Sequence, residues 1–266
     1  MSGPEDNISE SHVMDLFRLD GRVALITGGT KGLGRSMALG LAQAGATTVI
    51  CSRHADQCES AAVEVAAQTG SESVGFAADV TSEEQVQSLV DEAVHRFGRL
   101  DVLINSAGIN LRHPIEEFPP DEWQQVMDLN VRGTWLCCRA VAPLMKQQRS
   151  GSVINVGSTL SAVGLANRSA YCPSKHAVIG LTKTLALEWA PFGVRCNTLC
   201  PGPFLTEMNV PLLGEPEKVK AVVSQTALNR WGELPEIRGA AVYLASDASS
   251  YMTGASLYVD GGWTAG

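Results

Sequence analysis

Tyr171 and Lys175 are the two side chains in this sequence that are best spaced for acid–base chemistry. They are four residues apart, so on a helix they lie on one face and reach a common point. A phenol with an ordinary pKa of about 10 is a poor catalyst at neutral pH, and a nearby ammonium group favours its phenolate form. Ser158, thirteen residues before Tyr171 (171 − 158), follows a short apolar run and can hydrogen-bond a substrate oxygen. The three residues predict proton transfer at an oxygen atom.

The elements that must position these side chains alternate between strands and helices along the chain. Apolar runs predict strands at residues 22–27, 47–52, 73–78, 100–105, 152–157, 193–199 and 256–259. Helical spacing predicts helices at residues 32–44, 55–69, 121–148, 171–189 and 235–245, and a further one capped by Thr81 or Ser82. Strands that are apolar throughout indicate a parallel sheet covered on both faces. We therefore expect an α/β protein with one Rossmann-type, doubly wound parallel sheet of about seven strands.

Composition narrows the range of functions and partners. The formal net charge of −8 argues against binding to nucleic acid or to an anionic membrane, and no run approaches the length of a membrane helix. The seven cysteines have no C-x-x-C spacing, which indicates buried, reduced thiols in a cytoplasmic protein and no zinc site. No linker or internal repeat is found, so we expect a mobile tail at residues 1–18 and one domain at residues 19–266.

The turn between the first predicted strand and the next helix is suited to a dinucleotide. Its glycines follow the spacing Gly-x-x-x-Gly-x-Gly. Glycine permits positive φ and lets a pyrophosphate approach the backbone and the helix N-terminus. The residues of this turn that we expect to contact the cofactor are Gly28, Thr30, Lys31, Gly32, Leu33 and Gly34.

The end of the second predicted strand decides between NADP and NAD. An acidic residue there would bind the ribose 2′-hydroxyl and repel a 2′-phosphate. This chain has Ser52 and Arg53 instead, with Lys31 in the glycine-rich turn, and two cations favour NADP. Asp56 is near enough in sequence to keep NAD as the alternative.

The order and spacing of these residues resemble the short-chain dehydrogenase/reductase family, and the resemblance extends from about Leu19 to Trp263. It implies that Asn130, Ser158, Tyr171 and Lys175 are catalytic, with the Asn130 carbonyl holding a water that contacts the lysine. It also implies that Lys175 holds the nicotinamide ribose hydroxyls and that Tyr171 lies against the cofactor. The further cofactor contacts that it implies are Asp79, Val80, Asn105, Ala107, Gly108, Pro201, Gly202 and Thr206. No metal ion is required.

The resemblance also implies a reaction and an assembly. We expect an NAD(P)-dependent oxidoreductase that interconverts a secondary alcohol and its ketone or lactone, with Tyr171 as general acid–base. Within the family the chain is most similar to sugar and polyol dehydrogenases of the gluconate 5-dehydrogenase and glucose 1-dehydrogenase type. The alternatives are a 3-oxoacyl-[acyl-carrier-protein] reductase and, from another class, a non-catalytic scaffold that senses a dinucleotide. A mobile lid over residues 203–231, a small-molecule substrate and a homotetramer are also expected.

Overall fold

The computed structural model describes residues 12–207, 214 and 216–266, and there the chain forms a three-layer α/β domain. The seven strands in this part of the chain form one parallel sheet in the order β3-β2-β1-β4-β5-β6-β7. Their bounds are β1 (Val23–Thr27), β2 (Thr47–Ser52), β3 (Ser73–Ala77), β4 (Val102–Asn105), β5 (Gly151–Val156), β6 (Val194–Pro201) and β7 (Ser256–Val259). The predicted doubly wound Rossmann-type sheet is confirmed.

Helices cover both faces of this sheet. Their bounds are α1 (Gly32–Gln43), α2 (Ala55–Thr69), α3 (Glu83–Phe97), α4 (Pro120–Met127), α5 (Thr134–Gln148), α6 (Tyr171–Trp189), α7 (Pro216–Val223) and α8 (Arg238–Ala245). One core joins the sheet to α1, α2 and α8, and a second joins it to α3, α5 and α6. In β1, Ala24 and Ile26 belong to the first core, whereas Val23 and Leu25 belong to the second. Alternate side chains of one strand thus face opposite layers, which explains why the strands are apolar throughout.

Two predicted helices differ from the observed ones. The helix expected at residues 121–148 is divided into α4 and α5 by a π-helical segment, Asp128–Gly133. The helix expected at residues 235–245 starts with a 3-10 turn, Leu234–Ile237, before α8. Ser82, one of the two predicted caps, accepts a hydrogen bond from the Gln85 amide at the start of α3.

The two segments that we expected to be mobile lie only partly within the described residues. In the predicted tail, residues 1–11 lie outside them, and Val13–Phe17 forms a 3-10 turn. In the predicted lid, residues 208–213 and 215 lie outside them, and the rest includes α7. None of the helices in the described ranges combines the length and apolar character needed to span a bilayer. All seven cysteines are buried and free.

Candidate active site

The glycine-rich turn leaves no room for side chains where a phosphate would approach. Gly28 has φ +64°, and a Cβ added there would lie 2.9 Å from the backbone of Ala107. A Cβ at Gly34 would lie 2.2 Å from the carbonyl oxygen of Gly28. Helix α1 starts at Gly32, and the side chain of Lys31 does not cap it, so no side chain covers the first amides there. This bare helix N-terminus fits a pyrophosphate.

Lys31, in this turn, and Arg53, just after β2, are exposed cations, and the Gly29 amide joins the two segments by donating to the Cys51 carbonyl at 3.2 Å. Among the described residues, neither forms an ion pair with a carboxylate. Ser52, at the end of β2, hydrogen-bonds Cys58 at the other side of the β2–α2 turn. Unpaired cations at this position fit the additional phosphate of NADP. Thr206 approaches the same turn from the segment after β6, because a Cβ at Gly32 would lie 3.7 Å from its methyl group.

Asp79 and Val80 lie just after β3, which ends at Ala77, one residue before its predicted end. The Asp79 carboxylate accepts hydrogen bonds from the amide and hydroxyl of Thr81 at 2.9 and 2.8 Å, so it caps its own turn. Val80 is buried and packs against Gly133. A Cβ added at Gly133 would lie 3.0 Å from the Val80 side chain. The second carboxylate oxygen of Asp79 has no such bond among the described residues and could still accept one from a ligand.

A row of polar residues crosses the carboxyl ends of the central strands. Thr27, Asn105, Asn155 and Thr198 pair in register from β1 to β6. The Asn105 amide donates to Asn155 at 2.9 Å, and the Asn155 amide donates to Thr182 of α6 at 3.0 Å. The Thr27 hydroxyl accepts the amides of Ser106 and Ala107, which holds the loop after β4 against the glycine-rich turn. The predicted Asn105, Ala107 and Gly108 therefore lie beside Gly28.

Asn130 joins this loop to α6 from within the π-helical segment. Its side-chain oxygen accepts the Ile109 amide at 2.9 Å, and its amide donates to the Ile109 carbonyl and the Ser174 hydroxyl, both at 3.0 Å. A Cβ at Gly108 would lie 3.1 Å from this oxygen and 3.7 Å from Lys175 Nζ. The Asn130 carbonyl accepts the Thr134 hydroxyl at 2.9 Å, which occupies one of its two acceptor positions.

Ser158, Tyr171 and Lys175 converge at the carboxyl end of β5. Lys175 is buried, and its Nζ donates to the Val156 carbonyl at 2.7 Å and lies 5.6 Å from the centre of the Tyr171 ring. Ser158 is partly exposed and caps the next 3-10 turn, with its hydroxyl accepting the Leu160 amide at 3.1 Å. Helix α6 starts at Tyr171, as Pro173 in the first turn predicted. The spacing of Tyr171 and Lys175 thus brings both to the end of the strand that precedes Ser158.

Burial is the main influence on the pKa of Tyr171 in this structure, and the expected effect of Lys175 on it stays a prediction. Burial raises the pKa of Tyr171, and the interaction with Ser158 and the charge of Arg168 only partly offset this. Lys175 Nζ donates to the Val156 carbonyl, and burial lowers the pKa of Lys175 itself to about 8. The two groups are therefore perturbed in opposite directions by the same dry surroundings.

Pro201 is the last residue of β6, and Gly202 follows it. A Cβ at Gly202 would lie 2.5 Å from the Asp260 backbone, so only glycine allows this close contact with the turn after β7. Pro201 is buried, and its carbonyl accepts the Thr159 hydroxyl at 3.2 Å. In the described residues, no group of three or more His, Cys, Asp or Glu side chains is placed to hold a metal ion.

Several residues at the site were missed from the sequence. Asn155 and Thr182 extend the polar row to α6, and Ser174 connects Asn130 to the Tyr171 carbonyl, which it reaches at 2.7 Å. A polar residue in an otherwise apolar strand is the signal that could have identified Asn155. Arg168 gave no signal, since a single arginine in a loop is ordinary.

The comparisons with known proteins agree with this geometry. The family model described as enoyl-(acyl carrier protein) reductase matches residues 28–264. D-threitol dehydrogenase of Mycolicibacterium smegmatis is 38% identical over 93% of this chain and 95% of its own length. The chain belongs to the short-chain dehydrogenase/reductase family.

Further relatives of this short-chain dehydrogenase/reductase act on sugar acids by name. Gluconate 5-dehydrogenase of Gluconobacter oxydans is 38% identical over 94% of this chain and 97% of its own length. The crystal structure of a gluconate 5-dehydrogenase from Burkholderia cenocepacia in complex with NADP and tartrate is 38% identical, with a TM-score of 0.92, and covers 96% of this chain and 100% of that one. The predicted family and its enzymatic, alcohol–ketone oxidoreductase character are confirmed.

Proposed function

We propose that this protein oxidises a secondary hydroxyl group of a sugar, polyol or related hydroxy compound to the ketone or lactone, and catalyses the reverse reduction. NADP is the preferred cofactor. The observation that carries the proposal is the convergence of Tyr171, Lys175 and Ser158 at one strand end, beside a glycine turn with unpaired cations. The relatives named above supply the class of substrate, and one of them was crystallised with NADP.

Individual residues of the chain account for proton transfer, for holding the substrate oxygen and for binding the cofactor. Tyr171 takes the proton from the substrate hydroxyl, and Ser158 holds the same oxygen with its own hydroxyl. Lys175, whose pKa is lowered to about 8, can gain or lose a proton near neutral pH, and it exchanges this proton with solvent through a water held by the Asn130 carbonyl. Gly28, Gly34 and the start of α1 bind the pyrophosphate. When bound, NADP supplies the hydride acceptor, and the protein has only to orient it.

The cofactor preference rests on Lys31 and Arg53. Both are exposed and lack a carboxylate partner in the described residues, so a 2′-phosphate would be the first anion to pair with them. The glycine-rich turn and the end of β2 carry no acidic residue that would repel it. Asp56, in the first turn of α2, is the nearest carboxylate in sequence.

We also propose a cytoplasmic homotetramer. Seven free, buried thiols are typical of a reducing compartment. Helices α5 and α6 present exposed apolar side chains, among them Trp135 and Leu187, the latter 80% exposed. Such a surface favours association with a second copy. Light scattering coupled to size-exclusion chromatography measures the oligomeric state, and a monomeric mass would contradict this part of the proposal.

The test is a substrate panel followed by the absorbance of the reduced nicotinamide. Gluconate, threitol and glucose are offered with NADP or NAD, and a 3-oxoacyl thioester is offered with NADPH. We expect oxidation of the hydroxy compounds with NADP ahead of NAD, and none of it in Tyr171→Phe, which should still bind NADPH. Reduction of the thioester alone would contradict the proposal. The lid surface gives the carrier-protein alternative little support, because Arg230 is bound to Glu236 by two hydrogen bonds of 2.7 Å.

A further inference from the structure

A cavity of about 550 Å³ opens beside the N-terminus of α6. Its walls come from the loop after β4 (residues 113–116), from the loop before α6 (residues 164–169) and from Cys172 and Pro173 in the first turn of α6. Ala170 and Tyr171 lie between the last two walls in sequence, and the charge of Arg168 acts on the Tyr171 phenol. The cavity therefore adjoins the first turn of the helix that begins with Tyr171.

Buried polar atoms without a partner cluster around this cavity. Arg168 Nε and Ser169 Oγ belong to its wall, and Asn110 Oδ1 belongs to the loop that forms the facing wall. Of the Arg168 side chain, Nη1 donates to the Asn167 carbonyl at 3.0 Å. More than nine in ten buried polar groups of proteins have a partner, so these unpaired donors and acceptors mark a polar region whose hydrogen bonds the protein alone does not complete.

The charge around the cavity is positive. Arg112 lies close enough that its charge, together with burial, lowers the pKa of Arg168. No carboxylate in the described ranges forms an ion pair with either arginine. The positive end of the α6 dipole points to the same place. Opposing charge is limited, since Glu116 is exposed on the outer wall and Glu122 is held by His113 at 2.7 Å.

We propose that Arg168, with Arg112 beside it, binds a carboxylate group of the substrate, so that the preferred substrate is a sugar acid and not a neutral polyol. A half-buried guanidinium group without a carboxylate partner is costly, and a carboxylate offers it two parallel hydrogen bonds. Ser169 and Asn110 would then bind hydroxyl groups along the chain of the sugar acid. The inference rests on the proposed function, since it names the substrate class of the same site.

The test compares D-gluconate with D-glucitol, the neutral alditol of the same carbon chain, using NADP. We expect wild-type kcat/KM to be at least about tenfold higher for gluconate, because a hydrogen-bonded charge is worth about 1.5–3 kcal/mol. Arg168→Met, which keeps the length of the side chain, should raise the KM for gluconate about 10–100-fold with a small change in kcat. It should leave the KM for glucitol unchanged, and any change in kcat should be the same for both compounds, because the charge of Arg168 also acts on Tyr171. Arg168→Lys should give an intermediate KM, and Arg96→Gln, remote and exposed, is the control.

A binding measurement separates this inference from the proposed reaction. The melting temperature of the Tyr171→Phe protein with NADP is measured at increasing concentrations of gluconate or glucitol. The same measurement is made on the double variant that carries both Tyr171→Phe and Arg168→Met. If gluconate alone raises the melting temperature and Arg168→Met removes the effect, carboxylate recognition stands even where turnover fails. Equal effects of the two compounds, or an Arg168→Met variant that changes both or neither, would overturn it. Should Arg168→Met not fold, Arg168→Lys and Arg112→Gln carry the same comparison.

Discussion

Lys175→Met should produce a protein that is inactive and yet more stable than the wild type at neutral pH. Burial lowers the pKa of Lys175 from 10.5 to about 8, and this difference corresponds to about 3 kcal/mol of destabilisation of the folded state. Methionine has a similar shape and no charge to bury. The substitution removes the hydrogen bond from Nζ to the Val156 carbonyl at 2.7 Å. Leaving that carbonyl without a partner costs about 1–2 kcal/mol. The expected net gain is about 1–2 kcal/mol, or a rise in Tm of about 2–6 °C.

The dependence of this gain on pH identifies its cause. Below about pH 8 Lys175 is charged in both states, so its burial cost is present in full. As the pH rises from about 8 to about 10.5, the folded protein has lost the proton and the unfolded chain still binds it, so wild-type stability increases with pH. The advantage of Lys175→Met should therefore shrink by about 1 kcal/mol between about pH 7 and about pH 9.

Thermal or urea unfolding of the two proteins at both pH values measures this difference. Lys183→Met is the matched control, because Lys183 is exposed on the same helix, and its effect should not change between the two pH values. A stability gap for Lys175→Met that stays constant or widens at high pH would refute the reasoning. So would a Lys175→Met protein that is less stable than the wild type at neutral pH.

Three further results follow from the site. Arg53→Gln should raise the KM for NADP about 10–100-fold and leave the KM for NAD nearly unchanged, as measured by steady-state kinetics with each cofactor; equal changes for both would argue against the phosphate contact. Gly34→Ala should prevent NADPH binding in a fluorescence titration, because its Cβ would lie 2.2 Å from the Gly28 carbonyl oxygen, whereas Gly180→Ala, with nothing within 4 Å, should stabilise the protein by about 0.5–1 kcal/mol. Because burial raises the pKa of Tyr171, its base form is scarce at neutral pH, so kcat/KM for alcohol oxidation should rise up to about tenfold per pH unit on the alkaline side; a flat profile would exclude Tyr171 as the limiting base.

Most of the fold could be predicted because local patterns and long-range packing agree in this chain. Strands β2 and β7 and helices α2 and α6 occupy the predicted residues. The division of the helix at residues 121–148 could not be predicted, because the apolar spacing continues through it. Its cause is tertiary: Asn130 bonds both the amide and the carbonyl of Ile109 in a loop twenty-one residues earlier (130 − 109).

The positions of site residues could be predicted where spacing alone brings them together. Their pKa shifts could not be predicted, because these depend on burial. Tyr171 and Lys175 lie together because one helix carries both. The direction of the Tyr171 pKa shift depends on how far the phenol is buried, and burial cannot be deduced from the spacing of two residues. Arg168 likewise gains significance only from the cavity wall to which the fold brings it.

The strand order β3-β2-β1-β4-β5-β6-β7 has a consequence for how such an enzyme can diversify. The chain leaves one edge of the sheet after β3 and re-enters at the centre beside β1, so the crevice there is shared by two separate stretches of sequence. The earlier stretch carries Lys31 and Arg53, and the later one carries the reactive tyrosine and the arginines of the cavity. Mutations that exchange one electron carrier for another therefore fall in a different part of the gene from those that exchange substrates. Each property can drift or be selected while the other is kept.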